Sequence, residues 1–348
     1  MRRQSWFEQV QEYLEAIEAE MQAVFPHTID PSLAPFYGMM AYHLGWQDRG
    51  FRPTRERTGK RLRPLLCLLA CKATTGAWKQ ALPAAAAVEL LHNFTLIHDD
   101  IQDHSPLRRG RPTVWKLWGV PQAINAGDGL FVLARMALFR MRRQDIPESK
   151  ILQAVEILDR AILRICEGQY LDLFFEGRLD VDESAYTTMI ACKTAELLET
   201  SVHLGVLVGG GDHEAILLWR AFGRALGMAF QIQDDFLGVW GDESHTGKPA
   251  AADIYGRKLG LPVVYALART AGDDRSLLER VYGGEGPVQE EDVAAILEIL
   301  ERVGARTHIK QRAATYHKQA LVSLQALPDS PARHVLEQMA QALLGRQS

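Results

Sequence analysis

The chain of 348 residues has little that would commit it to a membrane or an oxidising compartment. It holds four cysteines, Cys67, Cys71, Cys166 and Cys192, and no Cys-x-x-Cys pair. A zinc cluster or redox dithiol is therefore excluded by spacing, and free, reduced thiols are expected. No apolar run reaches the roughly 18 residues of a membrane span. The first twenty residues, MRRQSWFEQVQEYLEAIEAE, are amphipathic and charged where a secretion signal would be apolar. A cytoplasmic protein without a membrane span is the expectation. An excess of one charge is missing too: 39 Lys and Arg against 43 Asp and Glu leave −4. That balance offers no overall attraction to a polyanion, so nucleic acid is not an expected partner.

Proline is absent between Pro147 and Pro249, and that stretch reads at helical period, as in ILQAVEILDRAILRICEGQYLDLF. Alternating β-branched runs bounded by tight Asn-Gly or Asp-Gly turns are missing, which excludes a sheet fold and predicts an all-α bundle. Loops are marked by Gly, Pro and charge, among them 52–64, 104–113, 176–184, 209–213 and 241–258. There is no low-complexity linker, composition shift or short-period repeat, so residues 1–348 are expected to form a single domain.

What is present is a repeated acidic signature. In VELLHNFTLIHDDIQD, Asp99 and Asp103 fall at i and i+4, on one face of a helix, with Asp100 beside them. Like charges so placed repel one another, and they follow residues apolar enough to be core, where uncompensated charge is costly. A cation should sit there. Mg²⁺ suits it, because that ion takes one or two protein carboxylates and completes its shell with water and phosphate oxygens. AFQIQDDFLGVWGD repeats the arrangement at Asp234 and Asp235, with Gly238 at the i+4 position. Two acidic helix ends in one bundle can face each other across a cavity and share metal ions around a diphosphate. Cations for the phosphates are supplied by Gly59-Lys60-Arg61-Leu62-Arg63-Pro64 and Leu107-Arg108-Arg109-Gly110-Arg111-Pro112.

HDDIQD followed by SPLRRGRPT, preceded by GKRLRP and followed by FQIQDD and GDESHTGKP, resembles the trans-isoprenyl diphosphate synthases, or polyprenyl synthetases. The resemblance runs from about residue 55 to 265, and the helices over 266–348 are only generically similar. It implies an isoprenoid synthase type of helical bundle around a deep central cavity, a homodimer, and Mg²⁺-dependent condensation of isopentenyl diphosphate with an allylic diphosphate. Carried over by position, it implies Asp99, Asp103 and Asp234 as ligands of three Mg²⁺, supported by Asp100 and Asp235. Arg108 and Lys248 would hold the allylic diphosphate, and Lys60, Arg63, His92 and Arg109 the isopentenyl diphosphate. Lys193 and Thr194 would face the allylic cation, and Gln231 and Lys258 would make further diphosphate or cation contacts. The resemblance makes His98 and His104 supporting rather than catalytic. Three departures stand out: Gly238 replaces a third aspartate, Lys258 is followed by Leu-Gly-Leu-Pro, and the C-terminus LLGRQS carries a single arginine.

Product length in this fold depends on the depth of the cavity below the first acidic cluster. Helical rise puts Phe94 roughly 7.5 Å from Asp99 along the helix. Geometry alone favours Thr95, at i−4, as the residue on the aspartate's face. A bulky aromatic at the fifth position before Asp-Asp-x-x-Asp, with a small residue at the fourth, resembles geranylgeranyl diphosphate synthases, which makes Phe94 part of the floor and the product a twenty-carbon chain; a farnesyl synthase is the alternative. A class I terpene cyclase would give GKRLRP no role, and a helical metal phosphohydrolase would leave Asp234 and Asp235 idle.

Overall fold

The computed structural model describes residues 6–27, 30–54, 56, 59–241 and 250–344. The chain is built of helices, as its patterning requires: α1 (Trp6–Gln9), α2 (Gln11–Gln22), α3 (Ala34–His43), α4 (Leu62–Thr75), α5 (Leu82–Gln102), α6 (Val114–Trp118), α7 (Val120–Phe139), α8 (Glu148–Phe175), α9 (Glu183–Ile190), α10 (Glu196–Gly209) and α11 (His213–Trp240). Shorter and C-terminal helices follow as α12 (Ala252–Tyr255), α13 (Leu261–Leu267), α14 (Gly272–Tyr282), α15 (Glu290–Arg302), α16 (Ala305–Gln325) and α17 (Pro331–Leu344). Extended structure among the described residues is limited to the two-residue strands Leu107–Arg108 and Arg111–Pro112, and a bridge between Gln47 and Pro53. No described helix is long and apolar enough to cross a membrane.

The described residues fall into two compact units. One draws on Met1–Asp159, Thr200–Ile216 and Ser330–Val335, the other on Arg160–Glu199, Leu217–Asp329 and Leu336–Ser348. In the first unit α5 is the central rod. Pro83 sits in its first turn, where a missing N–H costs nothing, and the strong helix formers Ala84–Ala87 carry it onward. Those alanines, with Val88, Leu90 and Leu91, are fully buried. Small residues on α7, namely Ala123, Ala126, Gly127 and Ala134, repeat on one buried face. At Gly127 a Cβ would lie 2.3 Å from His98 Nε2, so the glycine is what lets the imidazole of α5 seat against α7.

The second unit has a core in which Tyr186 and Met189 of α9, Met228, Ile232 and Phe236 of α11, Leu261 and Val264 of α13, and Ile309 of α16 pack together. Between α9 and α10 the helix widens into a π segment, Ala191–Ala195, where the periodicity alone suggested an unbroken helix. Such single π turns recur at functional sites. Glycines on two neighbouring helices make room for it. A Cβ on Gly168 of α8 would lie 2.3 Å from Lys193 N, and one on Gly227 of α11 would lie 2.5 Å from the Ala195 Cα.

Candidate active site

In the first unit, Asp99 and Asp100 occupy the last turn of α5, and Asp103 caps its end, its N–H donating to Asp99 O at 2.8 Å. The three carboxylates divide their surroundings. Asp99 is half-buried and Asp103 exposed, whereas Asp100 is buried. Arg108 Nε donates to Asp100 Oδ1 at 2.7 Å. Burial pushes the Asp100 carboxyl up to about 6, with Arg108 opposing it, and its Oδ2 is buried without a hydrogen-bond partner among the described residues.

Arg108 reaches that carboxylate because it lies on a hairpin closed by two residues of positive φ, Arg109 at +54° and Gly110 at +77°. This is the pattern of a type I′ turn, whose twist matches that of the flanking strands. The guanidinium of Arg109 packs over Gly59, where a Cβ would lie 2.9 Å from Nη2. Arg61, also left-handed at φ +48°, is committed to structure. Its guanidinium lies 2.7 Å from Glu18 of α2 and 2.7 Å from Glu89 of α5, and these carboxylates hold its charge against burial. The pairing fastens the basic loop onto α5.

Arg63 Nη1 donates to His92 Nε2 at 3.1 Å, which assigns the imidazole proton to Nδ1. Burial lowers Arg63 to about 10. Burial, with Arg63, Arg109 and Arg108 nearby, holds His92 well below its ordinary value and hence neutral. Three of the four residues expected on isopentenyl diphosphate, Arg63, His92 and Arg109, thus share one neighbourhood, and Lys60 is exposed three residues before Arg63. The sequence carried no sign of a further member: His43, at the end of an apolar stretch of α3, lines a small pocket of about 30 Å³ with Asp100, Arg108, Arg109 and Arg111.

Below the aspartates the Phe94 ring meets Phe131 of α7 at 5.5 Å and the His98 ring at 4.8 Å. Thr95 Oγ1 donates to His92 O at 2.8 Å, and both Phe94 and Thr95 are half-buried. His98 Nε2 lies 3.4 Å from Ile124 O and 3.6 Å from Asp128. His104 sits at positive φ with its ring 6.5 Å from that of Trp115.

In the second unit, Asp234 is exposed and Asp235 buried. Asp235 accepts hydrogen bonds from the Tyr186 hydroxyl, from Gln231 Nε2 at 3.0 Å and from Leu261 N at 3.2 Å. Burial raises its pKa, and Lys258 leads the opposing influences. Gln231 Oε1 in turn accepts from Thr194 Oγ1 at 2.8 Å, so a line of neutral donors runs from the π segment to the aspartate. Lys193 Nζ pairs with Asp172 of α8. Lys258 Nζ is 3.9 Å from Asp253, and Asp235, Asp253, Asp234 and Asp172 together raise its pKa.

Gly238, where a third aspartate is absent, gains an explanation. A Cβ there would lie 1.9 Å from Asp253 Oδ2, so a carboxylate from α12 occupies the space a side chain at 238 would need. Lys248 lies outside the described residues. No three Asp, Glu, His or Cys side chains among the described residues converge as a ready metal cage, which leaves any bound ion to take most of its shell from water and ligand oxygens.

Carboxylates presented beside buried partners, with guanidinium and imidazole groups gathered close by, define an all-helical enzyme that handles phosphorylated substrates. Residues 48–300 match the family model for Polyprenyl synthetase, and the chain belongs to that family of prenyltransferases. A short chain isoprenyl diphosphate synthase of Methanothermobacter thermautotrophicus is 42% identical over 289 residues, covering 83% of this chain and 87% of that one. The crystal structure of a geranylgeranyl pyrophosphate synthetase from Pyrococcus horikoshii OT3 superposes with a TM-score of 0.88 at 32% identity, covering 98% of each chain. A polyprenyl synthase from Caulobacter crescentus CB15, complexed with calcium and isoprenyl diphosphate, superposes with a TM-score of 0.81 at 28% identity, covering 99% of this chain and 100% of that one.

Proposed function

We propose that this enzyme uses Mg²⁺ to condense isopentenyl diphosphate with an allylic diphosphate, dimethylallyl, geranyl or farnesyl, giving an all-trans chain of twenty carbons. The observation that carries the reading is a basic set within one unit larger than one diphosphate needs: Arg108 on the Asp100 carboxylate and, beside it, Arg63 and Arg109 around a neutral His92. Two diphosphates call for such a set, whereas a cyclase has one diphosphate to hold.

The donors fit Mg²⁺ by their chemistry, since hard carboxylate oxygens on Asp99, Asp103 and Asp234 are presented and their neighbours Asp100 and Asp235 are held by internal partners. Three Mg²⁺ per site would supply electrostatic stabilisation of the departing pyrophosphate. Arg108 and Lys248 hold the allylic diphosphate, and Lys60, Arg63, His92 and Arg109 hold the isopentenyl diphosphate. Thr194 and Gln231 position Asp235 and, with the Lys193 backbone, turn oxygens toward the allylic cation, while Lys258 exchanges its carboxylate partner for diphosphate oxygens. The isopentenyl double bond then attacks C1 of the allylic cation, and the released pyrophosphate takes the proton lost from the adduct.

Phe94, backed by Phe131, serves as the floor that limits the product. We further propose that residues 1–348 act as a single domain and that the chain is a homodimer. The exposed apolar side chains of α7, Val120, Ile124, Val132, Met136 and Phe139, are suited to a second copy. The free thiols accord with a cytoplasmic setting. The test is incubation of pure protein with Mg²⁺, labelled isopentenyl diphosphate and each allylic starter, followed by product sizing. A twenty-carbon product is expected; a fifteen-carbon one would make it a farnesyl synthase, and a cyclised hydrocarbon would overturn the reading.

A further inference from the structure

We infer that His98 is a positioning residue for product length: its imidazole, seated against α7, holds the Phe94 ring in the place where that ring stops the growing chain. This deepens the function proposed above and rests on its reading of Phe94 as the floor.

The residues concerned form two rungs between α5 and α7. Phe94 and His98 lie one turn apart on α5, and Gly127 and Phe131 one turn apart on α7, so the members of each pair share a helix face. On one rung the Phe94 ring meets that of Phe131, with centroids 5.5 Å apart and planes tilted by 43°. On the other, only α5 contributes a side chain. A Cβ at position 127 would lie 2.3 Å from His98 Nε2 and 2.4 Å from Cδ2, and the glycine leaves that space to the imidazole.

The imidazole is fixed from its α7 side. Nε2 lies 3.4 Å from Ile124 O and 3.6 Å from Asp128 Oδ1. Because a carbonyl oxygen can only accept, Nε2 is a nitrogen that carries a proton. A helical side chain leans toward the N-terminus of its helix, so the His98 ring lies over the turn that carries Phe94. The two rings meet edge to face at 4.8 Å, with planes 66° apart, a geometry that aromatic pairs favour. Phe94 is therefore enclosed by Phe131 across the gap between the helices and by His98 along its own helix. Burial alone would not hold it, since Phe94 is only half-buried. The residue type at position 98 fits the place: a flat ring gives Phe94 a surface to rest on, and a donor at its far end serves the Ile124 carbonyl. With Nε2 turned to α7, His98 acts on the product through Phe94.

The test compares the full-length enzyme with Phe94→Ala, His98→Ala, the double variant and His98→Gln. Each is incubated with Mg²⁺, labelled isopentenyl diphosphate and farnesyl diphosphate, and the products are separated by chain length. His98→Ala lets the Phe94 ring swing into the vacated space and is expected to raise the share of chains longer than the wild-type product roughly threefold or more, about the worth of one aromatic pair. The double variant should give the same distribution as Phe94→Ala, because both changes act through one ring. A general loss of packing, or a disturbance of Asp99, would lower the yield without selecting chain length. Wild-type lengths from His98→Ala, where Phe94→Ala lengthens the products, would overturn the inference. So would a double variant whose chains exceed those of Phe94→Ala, since His98 would then act apart from Phe94. Wild-type lengths from Phe94→Ala would instead remove the floor, and this role of His98 with it. Should His98→Ala not fold, His98→Gln decides, keeping a donor for Ile124 O without the ring: lengthened products support the positioning role and wild-type lengths refute it.

Discussion

The two acidic helix ends begin from the same pair of letters and divide the work the same way. Asp99 and Asp234 are presented, and Asp100 and Asp235 are buried at 1% exposure each. They differ in what holds the buried member. Asp100 is held by a charge, Arg108, and keeps one oxygen unpartnered. Asp235 is held by a hydroxyl, an amide and a backbone N–H. The surroundings differ accordingly, with arginines and imidazoles clustered about the first end and lysines with further carboxylates about the second. An ion pair can be reopened by a competing anion, whereas hydrogen bonds from neutral donors fix geometry without adding charge. The first end is held by a pair that a competing anion can open, and the second by bonds that keep it still.

The sharpest way to break that contrast is to remove the buried members. Asp235→Ala leaves three donors without an acceptor and is expected to cost about 3–5 kcal/mol, while Asp100→Asn, whose arginine is partly exposed and can be rehydrated, should cost about 1–2 kcal/mol. Urea titrations measure both, and equal costs would erase the distinction. Removing the presented members should instead spare the fold: Asp99→Ala and Asp234→Ala are each expected to lower turnover by roughly a hundredfold or more at unchanged circular dichroism, since each takes away a proposed metal ligand, a role worth several kcal/mol at the transition state. Retention of a tenth of wild-type rate by either variant would refute that role.

Arg63→Gln removes the donor to His92 and should raise the KM for isopentenyl diphosphate roughly tenfold, about the worth of one charge-assisted hydrogen bond, with little change for the allylic starter. Exposed Lys60, substituted likewise, should act in the same direction and less strongly. Phe94→Ala is expected to shift products beyond twenty carbons. Because Phe94 is only half-buried, its stability cost should fall below the ~3–5 kcal/mol of a fully buried phenylalanine; unchanged product length would send the search for the floor to Leu91 and Thr95.

The remaining effect concerns pH. His43 and His92 are neutral in the folded enzyme, with pKa values below the ordinary 6.5. Below pH 6.5 the unfolded chain therefore binds more protons, and stability falls as pH falls, by up to about 1.4 kcal/mol per unit for each histidine. Denaturation at pH 7, 6 and 5 should show a shallower decline in His43→Gln than in the wild type. A parallel decline would mean that His43 is not held neutral.

The helical class and the position of both acidic ends were legible because they rest on local signals: helical period, absence of proline and the spacing of carboxylates. The closeness of Arg63, His92 and Arg109 was readable only through their order in motifs, since the residues are up to 46 positions apart. Asp253 and His43 were illegible. Asp253 is brought to Gly238 by the packing of α12 against α11, and His43 reaches the arginines because α3 packs beside the hairpin; neither contact leaves a mark in the residues around it. The role of Arg61 was hidden for a different reason. A basic run does not reveal which of its members face buried carboxylates, and Glu18 and Glu89 lie 43 and 28 residues away.

The left-handed backbone of Arg109 sets a trap for protein engineers that Arg61, in the same conformation, does not. A β-carbon at positive φ costs roughly 1 kcal/mol, which glycine or asparagine would largely relieve at Arg109, whereas at Arg61 the loss of the pairs with Glu18 and Glu89 outweighs it. A redesign scored on thermostability alone would therefore be rewarded for replacing Arg109 with asparagine at the tip of its hairpin. The resulting enzyme should melt later and work worse. Any stabilised version of this scaffold must hold both positions fixed and seek its gains elsewhere, beginning with the exposed surfaces of α14 and α15, which lie outside the groups described for either acidic end.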